Sequence, residues 1–297
     1  MATRAQWIAA TRPRTLPAAI APVLVGIALA VDADALDAVL SLLAVIVALA
    51  LQVGVNFAND FSDGIRGTDD VRVGPTRLVG QGLAAAGTVR RAAFAAFGVA
   101  AVAGLMIVAL TNTWFLLLIG ALAIVSAWFY TGGSRPYGYA GLGEVFVFIW
   151  FGLVAVTGTV YIQTGNLADW RIWLLGSGAG ALSCALLVAN NLRDVPTDAL
   201  IGKRTLAVRL GDHTTRWFFV LLLLTGMATP LLVVAGSRPP QPADLLLLLP
   251  FLVAHTPGRA VLGGAKGPAL LPVLAASGRL LLVWSLCVSA VLILGRN

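Results

Sequence analysis

From residue 15 onward the chain alternates long uncharged apolar runs with short polar breaks. Nine of the runs read as membrane spans: roughly 15–31, 38–61, 89–111, 114–130, 142–163, 171–191, 216–235, 243–257 and 276–295. A hydrocarbon core about 30 Å thick takes roughly 20 apolar residues of helix. The pattern therefore predicts an all-α, polytopic membrane protein with about nine transmembrane helices around a central cavity that opens near the cytoplasmic face. Pro17 and Pro22 interrupt the first run and further spans follow it, so it reads as a retained helix and not as a signal peptide.

The longest polar breaks, 62–88 and 193–215, follow the second and sixth runs and begin alike, with NFANDFSDGIRGTD (56–69) and NNLRDVPTDALIGKRT (190–205). This weak repeat predicts a single transmembrane domain over 1–297, made of two halves at about 1–135 and 136–260 plus a terminal helix. Each half would deliver one acidic helix end to a shared cavity. Asn112 and Thr113 mark a short outer turn, TGGSRPYGYAGLG (131–143) is a Gly-rich inner turn, and Gly176 and Gly180 of GSGAG form a small-residue face for close helix packing.

Composition agrees with a membrane setting, since 59% of residues are hydrophobic and only 11% are charged. The net charge of +7 follows topology. With a cytoplasmic N-terminus, Arg4, Arg12, Arg14, the cationic clusters at 66–91 and 193–216, Arg135, Arg259, Lys266 and Arg279 all fall inside. Only Arg171, Arg238 and Arg296 fall outside, with the acidic turn VDADALD (31–37). The basic balance thus reports orientation in a lipid bilayer, and no nucleic acid is implied. Cys184 and Cys287 lie in separate apolar runs without CxxC spacing and are expected to pack.

On a helix at about 100° per residue, Asn56, Asn59, Asp60 and Asp63 share an arc of about 100°, and so do Asn190, Asn191, Asp194 and Asp198. Pro196 is expected to end the second helix before Asp198. Amide and carboxylate oxygens are hard donors suited to Mg²⁺, which binds through one or two carboxylates plus substrate phosphate. Asn59, Asp60, Asp63, Asp194 and Asp198 are the candidate metal ligands. Asn56 with Asp60 and Asn59 with Asp63 are equally spaced, so either can supply the first pair. Arg72, Arg77, Arg135, Lys203, Arg204 and Arg209 stand nearby and can neutralise a diphosphate.

Acidic ends, a basic clamp and an apolar cavity imply a substrate with a diphosphate head and a long apolar tail, as in an isoprenyl diphosphate. Tyr130, Phe146, Phe148, Trp150 and Tyr161 are candidates to shield an allylic cation by cation–π attraction. Arg72, Arg77 and Arg135 exceed what one diphosphate served by Mg²⁺, Lys203 and Arg204 needs, which points to an anionic aromatic acceptor. His213 and His255 are isolated and are expected to be structural or solvated.

NDFSD (59–63) and NNLRDVPTD (190–198) strongly resemble the two Asp-rich motifs of the UbiA superfamily of intramembrane aromatic prenyltransferases. RPRTLPAAIAPVLVG (12–26), GPTRLVGQG (74–82), YTGGSRPYGYAGLGEVFVF (130–148) and NNLRDVPTDALIGKRTLAVRLG (190–211) resemble the branch that prenylates 1,4-dihydroxy-2-naphthoate. One departure is that the superfamily pattern NDxxDxxxD would place an Asp at Gly67, whereas Asp69 comes two residues later. The resemblance implies nine helices around a cavity in the cell membrane, Mg²⁺-bridged binding of polyprenyl diphosphate by both motifs, and prenyl transfer to dihydroxynaphthoate. Loss of CO₂ and diphosphate would give demethylmenaquinone.

Two relatives of this chemistry and one different class serve as rivals. A prenyltransferase for 4-hydroxybenzoate would share the motifs. A CDP-alcohol phosphotransferase would continue Asp60-Phe-Ser-Asp63-Gly64 with Ala-Arg and a later Asp pair, which are missing here. A secondary transporter would carry its ionisable residues near the midplane, whereas these sit at the cytoplasmic ends.

Overall fold

The computed structural model describes residues 2–67 and 76–296. Asp69 and Arg72, singled out above, lie outside the described residues. Helix α1 (Arg4–Ala10) leads through a turn at Arg12, whose φ of 54° is left-handed, and Arg4–Thr15 meets α2 (Pro17–Asp32) at a bend of 52°. The Asp37 carboxylate caps α3 (Ala38–Ile65) by accepting from the N–H groups of Val39 and Leu40. Asn112 takes a left-handed φ of 56° to end α4 (Ala86–Thr111), and α5 (Leu116–Phe129) follows.

The expected fifth span is one continuous rod built from α6 (Gly143–Phe148), a π-helical segment (Ile149–Val154) and α7 (Ala155–Thr164). Next comes α8 (Trp170–Leu200), which runs through Pro196, so the proline does not end the helix before Asp198 as expected. Gly211, at φ 76° and ψ 169°, breaks α9 (Leu206–Ser237) just before its membrane-crossing part. A 3₁₀ turn over Pro242–Leu248 leads into α10 (Leu249–Leu262), and α11 (Leu271–Leu294) completes the chain.

Every expected span is helical, but the count is lower than nine. Among the described residues, seven helices are long and apolar enough to cross a membrane, and eight if the bent N-terminal pair is one span. Helix α5, expected as a further span, has 14 residues. At 1.5 Å per residue it covers only about 21 Å. Many large apolar side chains face outward, such as Leu118, Leu221 and Leu252, as befits a lipid-facing surface. The chain is a multi-pass membrane protein.

Helix α3 packs against α4 and α8 against α9, while α2 packs on α7 and α11 closes onto α2 and α8. The GSGAG face acts as expected. A Cβ on Gly152 of the π segment would lie 2.4 Å from the Cα of Gly180, so the two backbones touch there only because both residues are glycine. The three arginines expected on the outer side each meet a carboxylate: Arg171 meets Asp32 at 2.9 Å and Asp169 at 2.7 Å, Arg238 meets Asp244 at 2.6 Å, and Arg296 meets Asp34.

Candidate active site

A cavity of about 570 Å³ opens among α2, α3, α4, α5, the α6–α7 rod and α8. Most of its wall is apolar, contributed by residues such as Val23, Val47, Ile107 and Leu187. One end is polar. There α3 contributes Asn56, Asn59 and Asp63, α8 contributes Asn190, Asn191 and Asp198, and Arg12, Arg77 and Lys203 join them. Residues of both acidic helix ends line this part of the cavity, and Lys203 joins them with its Nζ 3.3 Å from Asp63 Oδ1.

Asp63 is engaged through both oxygens. Its Oδ1 accepts from the Tyr139 hydroxyl at 2.5 Å, and its Oδ2 faces Arg77 at 3.4 Å. The two cation contacts are longer than the roughly 2.7–2.9 Å of a tight charge-assisted hydrogen bond. Asn59 Oδ1 accepts from Thr131 Oγ1 at 2.8 Å, and Asn56 Nδ2 donates to the Thr11 carbonyl at 2.9 Å.

Asp60 differs from the expectation that it is a metal ligand. Its two oxygens accept the backbone N–H groups of Leu78 at 2.7 Å and Val79 at 3.1 Å, and it does not line the cavity. Its carboxylate pins the returning loop to α3. Of the two equally spaced pairs, Asn59 and Asp63 are the one with both members on the cavity wall.

On α8, Asp198 faces the cavity, whereas Asp194 does not line it and is gripped by Arg193 through two contacts of 2.7 Å. Arg193 also donates to Asn190 Oδ1 at 2.9 Å. Asn191 Nδ2 donates to Glu144 Oε1 at 2.9 Å. The basic clamp is narrower than expected. Lys203 is buried on the cavity wall, but Arg204 is exposed and takes part through its backbone, donating to the Tyr139 carbonyl at 2.9 Å. Arg135 and Arg209 are exposed and do not line the cavity.

Among the aromatic candidates, Tyr130, Phe146 and Trp150 line the cavity. Phe148 instead packs on Gly180, and the Tyr161 ring meets Phe115 edge-on at 5.5 Å. Tyr137, not singled out from the sequence, lines the cavity and stacks on Phe146 at 4.0 Å. Burial raises its phenol pKa, and its hydroxyl donates to the Ser126 carbonyl at 2.9 Å. His213 and His255 are exposed, as expected.

Sequence reasoning also missed Arg12, Gln52, Thr131, Tyr139 and Glu144. Two signals were available: Glu144 is the only glutamate in the chain, and Gln52 is the only amide inside the apolar run that precedes Asn56. Among the described residues no group of three or more His, Cys, Asp or Glu side chains forms a ready metal site. That suits Mg²⁺ bound together with a substrate phosphate, which needs only one or two carboxylates. Asp63 and Asp198, with the amide oxygen of Asn59, are a donor set of that kind.

Residues 19–259 match the UbiA prenyltransferase family. The chain is 48% identical over 297 residues to a 1,4-dihydroxy-2-naphthoate octaprenyltransferase of Mycobacterium tuberculosis, covering 100% of this chain and 99% of the relative. Its fold resembles the apo structure of a UbiA homolog from Aeropyrum pernix, with a TM-score of 0.70, 17% identity and coverage of 96% and 97% of the two chains. It also resembles a UbiA homolog from Archaeoglobus fulgidus bound to GPP and Mg²⁺, with a TM-score of 0.66, 15% identity and coverage of 96% and 99%. The match over residues 19–259 and the full-length relative together show that this chain belongs to the UbiA prenyltransferase family.

Proposed function

We propose that the protein transfers a polyprenyl group from polyprenyl diphosphate to 1,4-dihydroxy-2-naphthoate, releasing diphosphate and CO₂ and giving demethylmenaquinone. One observation carries this reading: a deep apolar cavity ends in a cluster of Asp63, Asp198, Arg77 and Lys203, which suits a long hydrocarbon tail with an anionic head. Near-complete identity in length and 48% identity in sequence to an enzyme of that name support the choice of acceptor.

Asn59, Asp63 and Asp198 would hold Mg²⁺, with Asp194 close by on the same helix as Asp198. Bound there, it would supply the positive charge that makes diphosphate a better leaving group. Lys203, whose Nζ lies 3.3 Å from Asp63 Oδ1, brings its charge to the diphosphate. Tyr130, Tyr137, Phe146 and Trp150 present aromatic rings to the allylic cation, an attraction worth up to about 2 kcal/mol when desolvated. Arg12 and Arg77 hold the acceptor carboxylate. The ring carbon bearing that carboxylate forms the new C–C bond and becomes quaternary. It cannot regain aromaticity by losing a proton, so the C–CO₂ bond breaks and returns its electron pair to the ring. No protein nucleophile is needed.

The same reading places the protein in the plasma membrane with a cytoplasmic N-terminus, as the cation asymmetry supports. It also takes 1–297 as one domain, whose halves at about 1–135 and 136–260 each supply one acidic end. The test is turnover by purified protein with Mg²⁺, a prenyl diphosphate and carboxyl-labelled acceptor. Labelled CO₂ and diphosphate should appear about one for one. A product that keeps the label would overturn the assignment in favour of an acceptor such as 4-hydroxybenzoate, and movement of prenyl diphosphate without diphosphate release would favour a transporter.

A further inference from the structure

Glu144 has no part in the mechanism above, yet it sits beside the site. It opens α6, is only 5% exposed, and pairs with no Lys or Arg among the described residues. Its Oε1 accepts from Asn191 Nδ2 at 2.9 Å, and its Oε2 is buried without a hydrogen-bond partner. A carboxyl group buried in a membrane protein is costly, so its retention calls for a reason. The contact with Asn191 supplies one.

An amide offers a donor at one end and an acceptor at the other, and each neighbour decides which end is left over. Asn190 gives its oxygen to Arg193, which can only donate, so its NH₂ remains for the cavity. Asn191 is committed the opposite way. Its NH₂ goes to Glu144, so its oxygen is the end that remains on the cavity wall. Adjacent asparagines thus present opposite polarity. A carbonyl oxygen facing a site for anions repels them unless a hydrogen-bond donor stands between. Phosphate and carboxylate groups carry no such donor, but a hydroquinone-type acceptor carries two hydroxyls. Asn191 lies seven residues deeper on α8 than Asp198, about 10 Å along the axis, and so beyond the cationic mouth that attracts the carboxylate.

We propose that Asn191 accepts a hydrogen bond from the acceptor hydroxyl remote from the carboxylate, the 4-hydroxyl, and that Glu144 is the positioning residue that turns the Asn191 oxygen toward it. The pair selects a dihydroxylated ring over a monohydroxylated one. This rests on the acceptor reading given above.

The test compares anaerobic binding of 1,4-dihydroxy-2-naphthoate and 1-hydroxy-2-naphthoate, in the presence of Mg²⁺ and an unreactive prenyl thiodiphosphate. The wild type should favour the dihydroxy acid by about ten- to a hundredfold, the range expected for one buried hydrogen bond left unmade. Asn191→Ala and Glu144→Leu should bring the ratio close to one, whereas Glu144→Gln, which keeps an acceptor oxygen, should preserve most of it. A merely structural role for Glu144 would weaken both acids equally and leave the ratio intact, and that result overturns the proposal. Asn191→Ala reads the oxygen without touching Glu144, so the idea stays testable if Glu144→Leu fails to fold. Saturable binding with an unchanged ratio in Asn191→Ala refutes the hydroxyl contact alone. Absence of binding by either acid to the wild type refutes the acceptor reading and this proposal with it.

Discussion

Asp60 and Asp63 stand three residues apart on one helix, and the structure assigns them different work that substitution to asparagine can separate. Asp60 accepts two backbone N–H groups, from Leu78 and Val79. Asparagine has one oxygen to offer, so one buried N–H loses its partner and meets an NH₂ instead. Such a loss costs about 1–3 kcal/mol. At roughly 2–4 °C per kcal/mol for a chain of this order of size, Asp60→Asn should lower the melting temperature by a few to about ten degrees. The protein that remains folded should turn over at near the wild-type rate.

Asp63→Asn should behave in the opposite way. It removes the charge that faces Arg77, Lys203 and the Tyr139 hydroxyl, and with it the carboxylate proposed to stand beside the diphosphate. A loss of about 10²–10³ in kcat is expected, the scale for removing one group that stabilises developing charge. The assay is diphosphate release by detergent-purified protein, with a parallel thermal melt. An Asp60→Asn variant that melts like the wild type but loses as much kcat as Asp63→Asn would refute this division of labour.

Further substitutions test the rest of the site. Lys203→Met should lower kcat and raise the donor KM by about tenfold or more, because it removes a buried charge from a charge-assisted contact, whereas exposed Arg204→Met should leave both within twofold, as read in the same turnover assay. Tyr139→Phe deletes the hydroxyl bond to Asp63 and should slow turnover by about three- to tenfold, the worth of one net hydrogen bond, without changing the melting temperature by more than a few degrees. Chelation by EDTA should abolish diphosphate release, and added Mg²⁺ should restore it. Gly152→Ala would bring its Cβ to 2.4 Å from the Gly180 Cα, and should reduce yield and melting temperature even though neither glycine carries chemistry.

Much of the architecture was legible because lipid demands long uncharged helices, and the nine apolar runs occur as helices in the expected order. What the runs could not show was whether α5 reaches across the bilayer, since flanking hydrophobic residues extend the pattern beyond the helix itself. The acidic clusters were legible for the same reason: carboxylates and amides are conspicuous beside a membrane. Asp60 and Asp63 were not separable, because the loop that claims Asp60 returns from residues 78 and 79 and leaves no mark in the helical spacing.

Lys203 and Arg204 looked alike in sequence and differ in space. The chain is not helical at 203–205, and its residues alternate between buried, exposed and buried, so adjacent side chains point to opposite sides. Only the backbone path shows which of the two enters the cavity.

The π-helical segment at Ile149–Val154 sets the shape of the tail channel. Along the α6–α7 rod the cavity wall is formed by a pair of residues that recurs every four positions, Phe146 and Val147, Trp150 and Phe151, Val154 and Ala155, Gly158 and Thr159, and it ends at Ile162. In an α-helix each such step overshoots a full turn by about 40°, so four steps would carry the face roughly 160° around and away from the channel. The wider π turn takes back much of that drift. Deleting one residue there would restore a regular helix and leave the face beyond it close to its present direction, because the roughly 100° that one residue contributes is what the π turn now absorbs. The loss of one codon among these six should therefore be tolerated better than the loss of one elsewhere along α6 or α7, where nothing absorbs the turn and lipid-facing side chains would rotate into the channel.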